Sequence, residues 1–243
     1  MAQLLNEHLY GALADEYATH SESSGYNAHY ERPAMLELLG DVRGKSILDI
    51  GCGGAPLLRI LANRGARKLV GIEGSRRLAE IARTRVPDDV TIYNGEVHEV
   101  LAALASADLP DANSDNARFD CVIASLVLHY IDPLEPLLRL IASVLADRGR
   151  LLISTNIPER KTSSTYIVEE RWSTFNLDVA RYERSEENIR NCLGAAGFDA
   201  IRTITPPPLP TMRDIDPRGY ARVCMQPAFL FIEARLRSPA PSV

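Results

Sequence analysis

Ile47-Leu48-Asp49-Ile50-Gly51-Cys52-Gly53-Gly54-Ala55, followed by Val70-Gly71-Ile72-Glu73-Gly74-Ser75, is the part of this chain that decides its reading. An apolar run enters a glycine-rich turn, a helical segment opens at Pro56, and a second apolar run ends on an acid. This is a strand–loop–helix–strand unit with a carboxylate at the tip of its second strand. Glycines in such a turn let the backbone approach a ligand closely. An acid about twenty residues beyond the turn is placed to hold the two hydroxyls of a ribose.

A dinucleotide is not the ligand this spacing favours. A nicotinamide site asks for G-x-G-x-x-G, and counting from Gly51 and Gly53 puts Pro56 where the third glycine belongs. Asp49, two residues before the first glycine, would repel a pyrophosphate. It would attract an amino or sulfonium cation.

Outward from this unit, apolar runs and helical periodicities alternate. Expected strands are 46–50, 68–72, 90–94, 119–125, 150–154, 200–205 and 229–236, with intervening helices at 56–64, 76–85, 133–146 and 185–196 and a short one near 97–104. In front, Leu5, Leu9, Leu13 and Tyr17 have helical spacing over residues 3–20. The Ser/Gly/Asn-rich stretch 21–30 reads as a loop, and Pro33 opens a helix that closes at Gly40. Arg32, preceding a proline, is expected to be extended. Pro206-Pro207-Pro208 and Pro210 mark an extended linker, and Ser238-Pro239-Ala240-Pro241 a frayed tail. The expected architecture is α/β: a doubly wound, mostly parallel seven-stranded sheet whose last strand enters as an antiparallel edge. A single domain is divided into an N-terminal helical lid (1–43), a ligand-binding core (44–155), a cap insertion after strand five (156–183) and a C-terminal helix with strands (184–237).

Bulk properties narrow the function. The chain has 243 residues and a net charge of −5, with no basic stripe; Arg64, Arg67 and Lys68 are its densest basic cluster, so no nucleic-acid partner is expected. Cys52, Cys121, Cys192 and Cys224 are far apart, and neither they nor the histidines show metal-ligand spacing. No signal peptide or bilayer-length apolar run is visible, which points to a cytoplasmic protein without a membrane partner. Oligomeric state is not legible.

The run Asp49-Ile50-Gly51-Cys52-Gly53-Gly54-Ala55 resembles the first motif of class I S-adenosylmethionine-dependent methyltransferases, acid-x-Gly-x-Gly-x-Gly, with Ala55 in place of the third glycine. Phe119–Ile131 resembles the fourth-strand segment of the small-molecule type that includes ubiquinone and menaquinone methyltransferases. Asn94-Gly95-Glu96 is similar to the Gly-Asp after strand three, with Glu for Asp, and Asp147-Arg148-Gly149 to the turn into strand five. The likeness covers residues 44–205, and more loosely Tyr26-Asn27 and Glu31–Met35.

What the resemblance implies is a methyl transfer from S-adenosylmethionine to an oxygen or nitrogen of a small metabolite, with natural-product biosynthesis as a plausible setting. Its cofactor site would comprise Asp49, Gly51, Cys52 and Gly53 in the turn and Glu73, Gly74 and Ser75 after strand two. Gly95, Glu96 and Val97 after strand three, and Ser125 and Leu126 after strand four, would complete it. Tyr17 and Tyr26 either close on the ligand or pack the N-terminal helix; Arg32 either grips the cofactor carboxylate or is a surface charge. Glu96 has a rival reading as a helix-start charge. His129, just beyond strand four, is the candidate general base, or else a core histidine. The alternatives are an RNA or protein methyltransferase, disfavoured by Ser125-Leu126-Val127-Leu128 after strand four, and a nicotinamide-dependent oxidoreductase.

Overall fold

Strand β1 (Ser46–Ile50) is buried along its whole length, the pattern of a parallel strand covered on both faces. Its neighbours are β2 (Lys68–Glu73) and β4 (Phe119–Ser125), both parallel to it. β3 (Thr91–Asn94) extends the sheet beyond β2, and β5 (Leu145–Asn156) beyond β4. The structure, a computed structural model, describes residues 11, 13–109, 118–158, 166–172 and 177–237. Helix 3–20 is therefore seen only from residue 11 onward, and the expected tail lies outside the described residues.

Side-chain alternation sorts the strands onto two cores. Leu48, Ile50, Val70, Ile72, Val122, Ala124, Leu151 and Ile153 share one face with α5 (Val97–Ala105), α6 (Leu134–Val144) and α7 (Glu186–Ala195). Ile47, Leu69, Cys121, Ile123, Leu152 and Phe231 share the other with α2 (Arg32–Leu39), α3 (Pro56–Asn63) and α4 (Arg76–Arg85). Each fully buried aliphatic side chain contributes roughly 1.5–3 kcal/mol. A smaller cluster, Ala14 and Ala18 with Leu78 and Ile81, seats α1 (Ala14–Ser23) on α4. After β5 the chain makes an antiparallel hairpin, β6 (Tyr166–Trp172) and β7 (Leu177–Glu183), where an insertion was expected.

The sheet order is β3-β2-β1-β4-β5-β9-β8. β9 (Phe229–Leu236) runs antiparallel to both β5 and β8 (Phe198–Ile204). The last strand is thus antiparallel as expected, but it is interior and β8 is the edge. Its composition explains the difference: Phe229, Leu230, Phe231 and Ile232 are consecutive and all buried, which an edge strand does not need.

Two local expectations are corrected. Residues 21–30 are not a loop: α1 runs to Ser23 and a π-helical turn, Asn27–Glu31, leads straight into α2. Arg32 is accordingly helical (φ −61, ψ −43) rather than extended. In a regular helix the ring of Pro33 would collide with the carbonyl of His29 four residues back. The wider turn relieves that collision, and the His29 carbonyl instead accepts a hydrogen bond from the Leu209 N–H (2.8 Å). The segment it receives holds two helices absent from the sequence reading, α8 (Met212–Ile215) and α9 (Pro217–Met225). The signal for α9 was present: Asp216 accepts from the Gly219 N–H and Pro217 occupies the first turn.

Candidate active site

Strand order reverses between β1 and β4, and a crevice opens beyond the carboxyl ends of the strands at such a point. The chain has a cavity of about 670 Å³ there. Its floor is the glycine turn. Gly51 has φ 67, and a Cβ placed on it would lie 2.5 Å from Cγ2 of Val127, so only glycine fits where the two loops meet. The Gly51 and Cys52 N–H groups donate to the Ile72 carbonyl (2.8 and 3.1 Å), tying the turn to β2. Ala55, at the third glycine's position, holds φ 60 as the residue entering α3. The turn thus keeps its left-handed geometry at the cost of some backbone strain.

Glu73 is 8% exposed and, among the described residues, held by backbone donors: Oε2 accepts from Gly53 N–H and Oε1 from Ser75 N–H, each at 2.8 Å. Burial raises its pKa and these bonds oppose the rise. Each carboxylate oxygen keeps lone-pair capacity for a further donor. The Ser75 side chain caps α4 by accepting from Leu78 N–H. Asn94 braces the tip of β2 from the other side, its amide donating to the carbonyls of Glu73 and Gly74. Glu96 sits at the start of α5 but makes no capping bond, and it lines the cavity with Gly95 and Val97. These acceptors suit ribose hydroxyls and a base better than a phosphate: acids stand where an anion would have to sit.

The opposite wall comes from β4, the hairpin and the N-terminal helix. Ser125, Leu126, Val127, Tyr130, Ile131 and Asp132 line it, with Tyr182 from β7 and Tyr17 from α1. Leu126 holds a left-handed φ of 48; its N–H reaches Ser154 at both the hydroxyl (3.0 Å) and the carbonyl (3.1 Å). Arg184, whose side chain is 4% exposed, stitches the following loop. It donates to the carbonyls of Leu128 (2.9 Å) and Ile131 (2.6 Å) and to Asp132 Oδ1 (2.8 Å).

The residues singled out in the sequence divide in two. Tyr17, Gly51, Gly53, Glu73, Gly74, Ser75, Gly95, Glu96, Val97, Ser125 and Leu126 line the cavity. Tyr26, Arg32, Asp49, Cys52 and His129 are not among its lining residues. Tyr26 stacks edge-on to Phe229 and its hydroxyl bonds Arg222, so it fastens α9. The Arg32 guanidinium donates to the Ser21 carbonyl (2.7 Å) instead of facing the cavity. Cys52 is buried, and its sulfur would lie 2.8 Å from a Cβ placed on Gly71, so it packs into the sheet. Asp49 is 2% exposed on β1, beneath the turn. His129 lies in a 3-10 turn, Leu128–Tyr130, buried against the Tyr130 ring (4.2 Å between centroids); its neighbour, not the imidazole, reaches the cavity. Burial and the nearby Arg181 and Arg184 push the His129 pKa down to about 3. Asp132 and Tyr182 were not marked in the sequence, and Val127, Tyr130, Ile131 and the buried Glu31 fall inside the quoted segments without having been named as site residues. Among the described residues no group of acids, cysteines and histidines could hold a metal ion, and no helix is long and apolar enough to cross a membrane.

Comparison with known proteins places this geometry. The chain is 29% identical over 152 residues to an uncharacterized protein of Haemophilus influenzae, covering 60% of this chain and 54% of that one. It is 29% identical over 121 residues to a ubiquinone biosynthesis O-methyltransferase of Alkalilimnicola ehrlichii, covering 50% and 45%. It therefore spans about half the length of these curated relatives. The fold matches that of an S-adenosylmethionine-dependent methyltransferase from Mesorhizobium loti with a TM-score of 0.66 at 22% identity, over 88% of this chain and 99% of that one. The family model of the methyltransferase domain matches residues 25–203, from the π-helical turn to β8. With the glycine turn, the acid-tipped β2 and the antiparallel β9 all inside one match or one fold, the chain belongs to the methyltransferase-domain family, the class I S-adenosylmethionine-dependent methyltransferases.

Proposed function

We propose that this chain transfers a methyl group from S-adenosylmethionine to an oxygen or nitrogen of a small metabolite. The observation that carries the reading is Glu73, pinned through both oxygens by the backbone of the glycine turn and of α4, on the floor of a cavity of about 670 Å³. Bound there, S-adenosylmethionine supplies an electrophilic methyl on a sulfonium. Glu73 would take the ribose hydroxyls, Glu96 the adenine side, and Gly51 and Gly53 the close backbone approach. Tyr17 from α1 and Tyr182 from the hairpin border the cavity from two sides, so the N-terminal segment and the hairpin act as lid and cap that exclude water.

His129 does not serve as the base in this reading. A buried imidazole with a pKa near 3 is a poor proton acceptor at neutral pH. Burial likewise raises the Tyr17 phenol well above its usual range. The chain's residues thus position an acceptor that is already nucleophilic, an amine or an acidic hydroxyl, rather than deprotonate a reluctant one. Relatives named as ubiquinone biosynthesis O-methyltransferases support an oxygen acceptor.

The test is incubation with methyl-labelled S-adenosylmethionine and separate pools of phenols, amines, total RNA and total protein. Label in an extractable phenol or amine is expected. Label confined to RNA or protein would overturn the small-molecule reading, and calorimetric binding of NAD without binding of S-adenosylmethionine would overturn the cofactor.

A further inference from the structure

Asp132 lines the cavity on the β4 wall, and the cofactor reading gives it no task. Its side chain is 41% exposed. Among the described residues it makes one side-chain hydrogen bond, accepting from Arg184 through Oδ1 (2.8 Å). Oδ2 keeps its full accepting capacity. Arg184 is itself 4% exposed and also donates to the Leu128 and Ile131 carbonyls. The guanidinium therefore sits behind the loop, and the carboxylate is the charge that the cavity meets. The loop holds its shape without a ligand: the Tyr130 N–H donates to the Val127 carbonyl (2.9 Å) and the Ile131 N–H to the Leu128 carbonyl (3.2 Å). Asp132 is thus placed in advance, by its own loop and by Arg184.

Two aromatic rings accompany it. Tyr130, two residues earlier, and Tyr182, from β7, line the same cavity. The Arg184 guanidinium lies 5.3 Å from the centre of the Tyr182 ring, so the hairpin ring and the loop acid are fixed to one arginine. Positive charge is distributed differently. The basic lining residues are Arg76 and Arg77 of α4 and His98 of α5, on the helices that follow β2 and β3. Arg76 is paired with Glu80 (3.1 Å) and Arg77 with Asp15 (2.7 Å). Among the described residues the β4 wall contributes no Lys, Arg or His to the lining. An anionic group arriving at this wall would meet a like charge. A cationic one would meet a carboxylate and the negative faces of two rings.

We propose that Asp132 selects the methyl acceptor, pairing with a protonated amine that the acceptor carries, beside the rings of Tyr130 and Tyr182. The inference rests on the small-metabolite reading above and narrows it to amine-bearing metabolites. A protonated amine has no lone pair to attack a methyl group. It is the handle, and the methylated oxygen or nitrogen is a second group of the same molecule. Asp132 binds and orients; it takes no proton in the transfer.

Titration calorimetry on the chain saturated with S-adenosylhomocysteine tests this with tyramine, p-cresol and 4-hydroxyphenylacetate. These phenols are of similar size and carry a positive charge, none and a negative charge. The wild-type chain is expected to bind tyramine about tenfold more tightly than p-cresol, and the anion most weakly. Asp132→Asn keeps an oxygen for Arg184 and removes the charge. It should bind tyramine about tenfold more weakly than wild type, p-cresol within about twofold, and S-adenosylhomocysteine as before. Should that variant fail to fold, salt decides in the wild type: raising it from about 0.05 to 0.5 M should weaken tyramine and spare p-cresol. An equal loss of all three phenols in Asp132→Asn would show a role in shape alone and overturn the proposal. So would wild-type binding of the anion as tight as that of tyramine, salt-independent binding of tyramine, or binding of none of the three. Failure of the wild type to bind S-adenosylhomocysteine would instead overturn the cofactor reading itself.

Discussion

The two walls of the cavity are built on different principles. The wall at β1, β2 and β3 is held by main-chain groups: Gly53 and Ser75 N–H on Glu73, Gly51 N–H on the Ile72 carbonyl, and Gly95 N–H on the Glu73 carbonyl. The wall at β4 and β5 is held by side chains, two of which arrive from elsewhere: Glu31 from the π-helical turn and Arg184 under the loop 128–132, with Ser154 of β5 itself under Leu126. A wall made of backbone presents nearly the same shape whatever side chains decorate it. A wall made of imported side chains can be re-cut by changing a few of them. The first suits an invariant ligand, the second a ligand that differs from one relative to the next.

Substitutions break this contrast in order of severity. Gly51→Ala should be the most damaging. A left-handed backbone costs a residue with a Cβ about 1–2 kcal/mol, and overlap with Val127 adds about 1–3 kcal/mol. Thermal unfolding should show the loss, and Val127→Ala in the same chain should restore part of it. If Gly51→Ala unfolds like wild type, the backbone wall is softer than its geometry states.

Glu73→Ala comes next. It removes a charged acceptor at about 1.5–3 kcal/mol, so affinity for S-adenosylhomocysteine should fall roughly tenfold to a hundredfold by calorimetry. Unchanged affinity in a folded variant would remove Glu73 from the site. Arg184→Leu should separate the walls: it leaves the Leu128 and Ile131 carbonyls short of a donor, at about 1–3 kcal/mol for each such group that stays buried. Hydrogen exchange should rise across residues 126–132 and 177–183, while affinity for S-adenosylhomocysteine moves less than about threefold. A collapse of cofactor affinity would mean the two walls are one unit.

The smallest effect at neutral pH is expected at His129. Its folded pKa, about 3, lies below the unfolded value of 6.5. The unfolded chain therefore binds the extra proton, and stability drains away as pH falls from 6.5 toward 3. His129→Gln should unfold like wild type near pH 7.5 and lose less stability near pH 5 in chemical denaturation. An acid slope identical to wild type would place the imidazole in contact with solvent.

How much of the site could be read from the sequence follows the same division. Each contact of the main-chain wall joins residues within about twenty-five positions of each other, and its signals are local: glycines where φ is positive, an acid where a strand ends. Glu31 contacts Ser125 and Ser154 across 94 and 123 positions, so no spacing announces it. His129 and Tyr130 are adjacent, and only the 3-10 turn decides which one reaches the cavity. Arg32 misled because the rule for residues before proline is a local steric preference, and the helix that continues from the π-helical turn overrides it. The parallel core was legible because fully covered strands are continuous apolar runs. The seat of β9 was not, because chain order does not state which neighbour a late strand slips between.

That seat has a consequence for how the chain is made. β8 is not bonded to β5; the two meet only through β9, which is synthesised after both. While residues up to about 225 have emerged from a ribosome, β5 shows an open flank of backbone donors and acceptors, and β8 has no partner in the sheet. Such flanks recruit other chains. A nascent or prematurely terminated product ending before Phe229 should therefore precipitate or be captured by chaperones, although it already carries the glycine turn, Glu73 and the whole cavity lining. Supplying residues 226–237 as a separate peptide should close the flank and return the truncated product to solution.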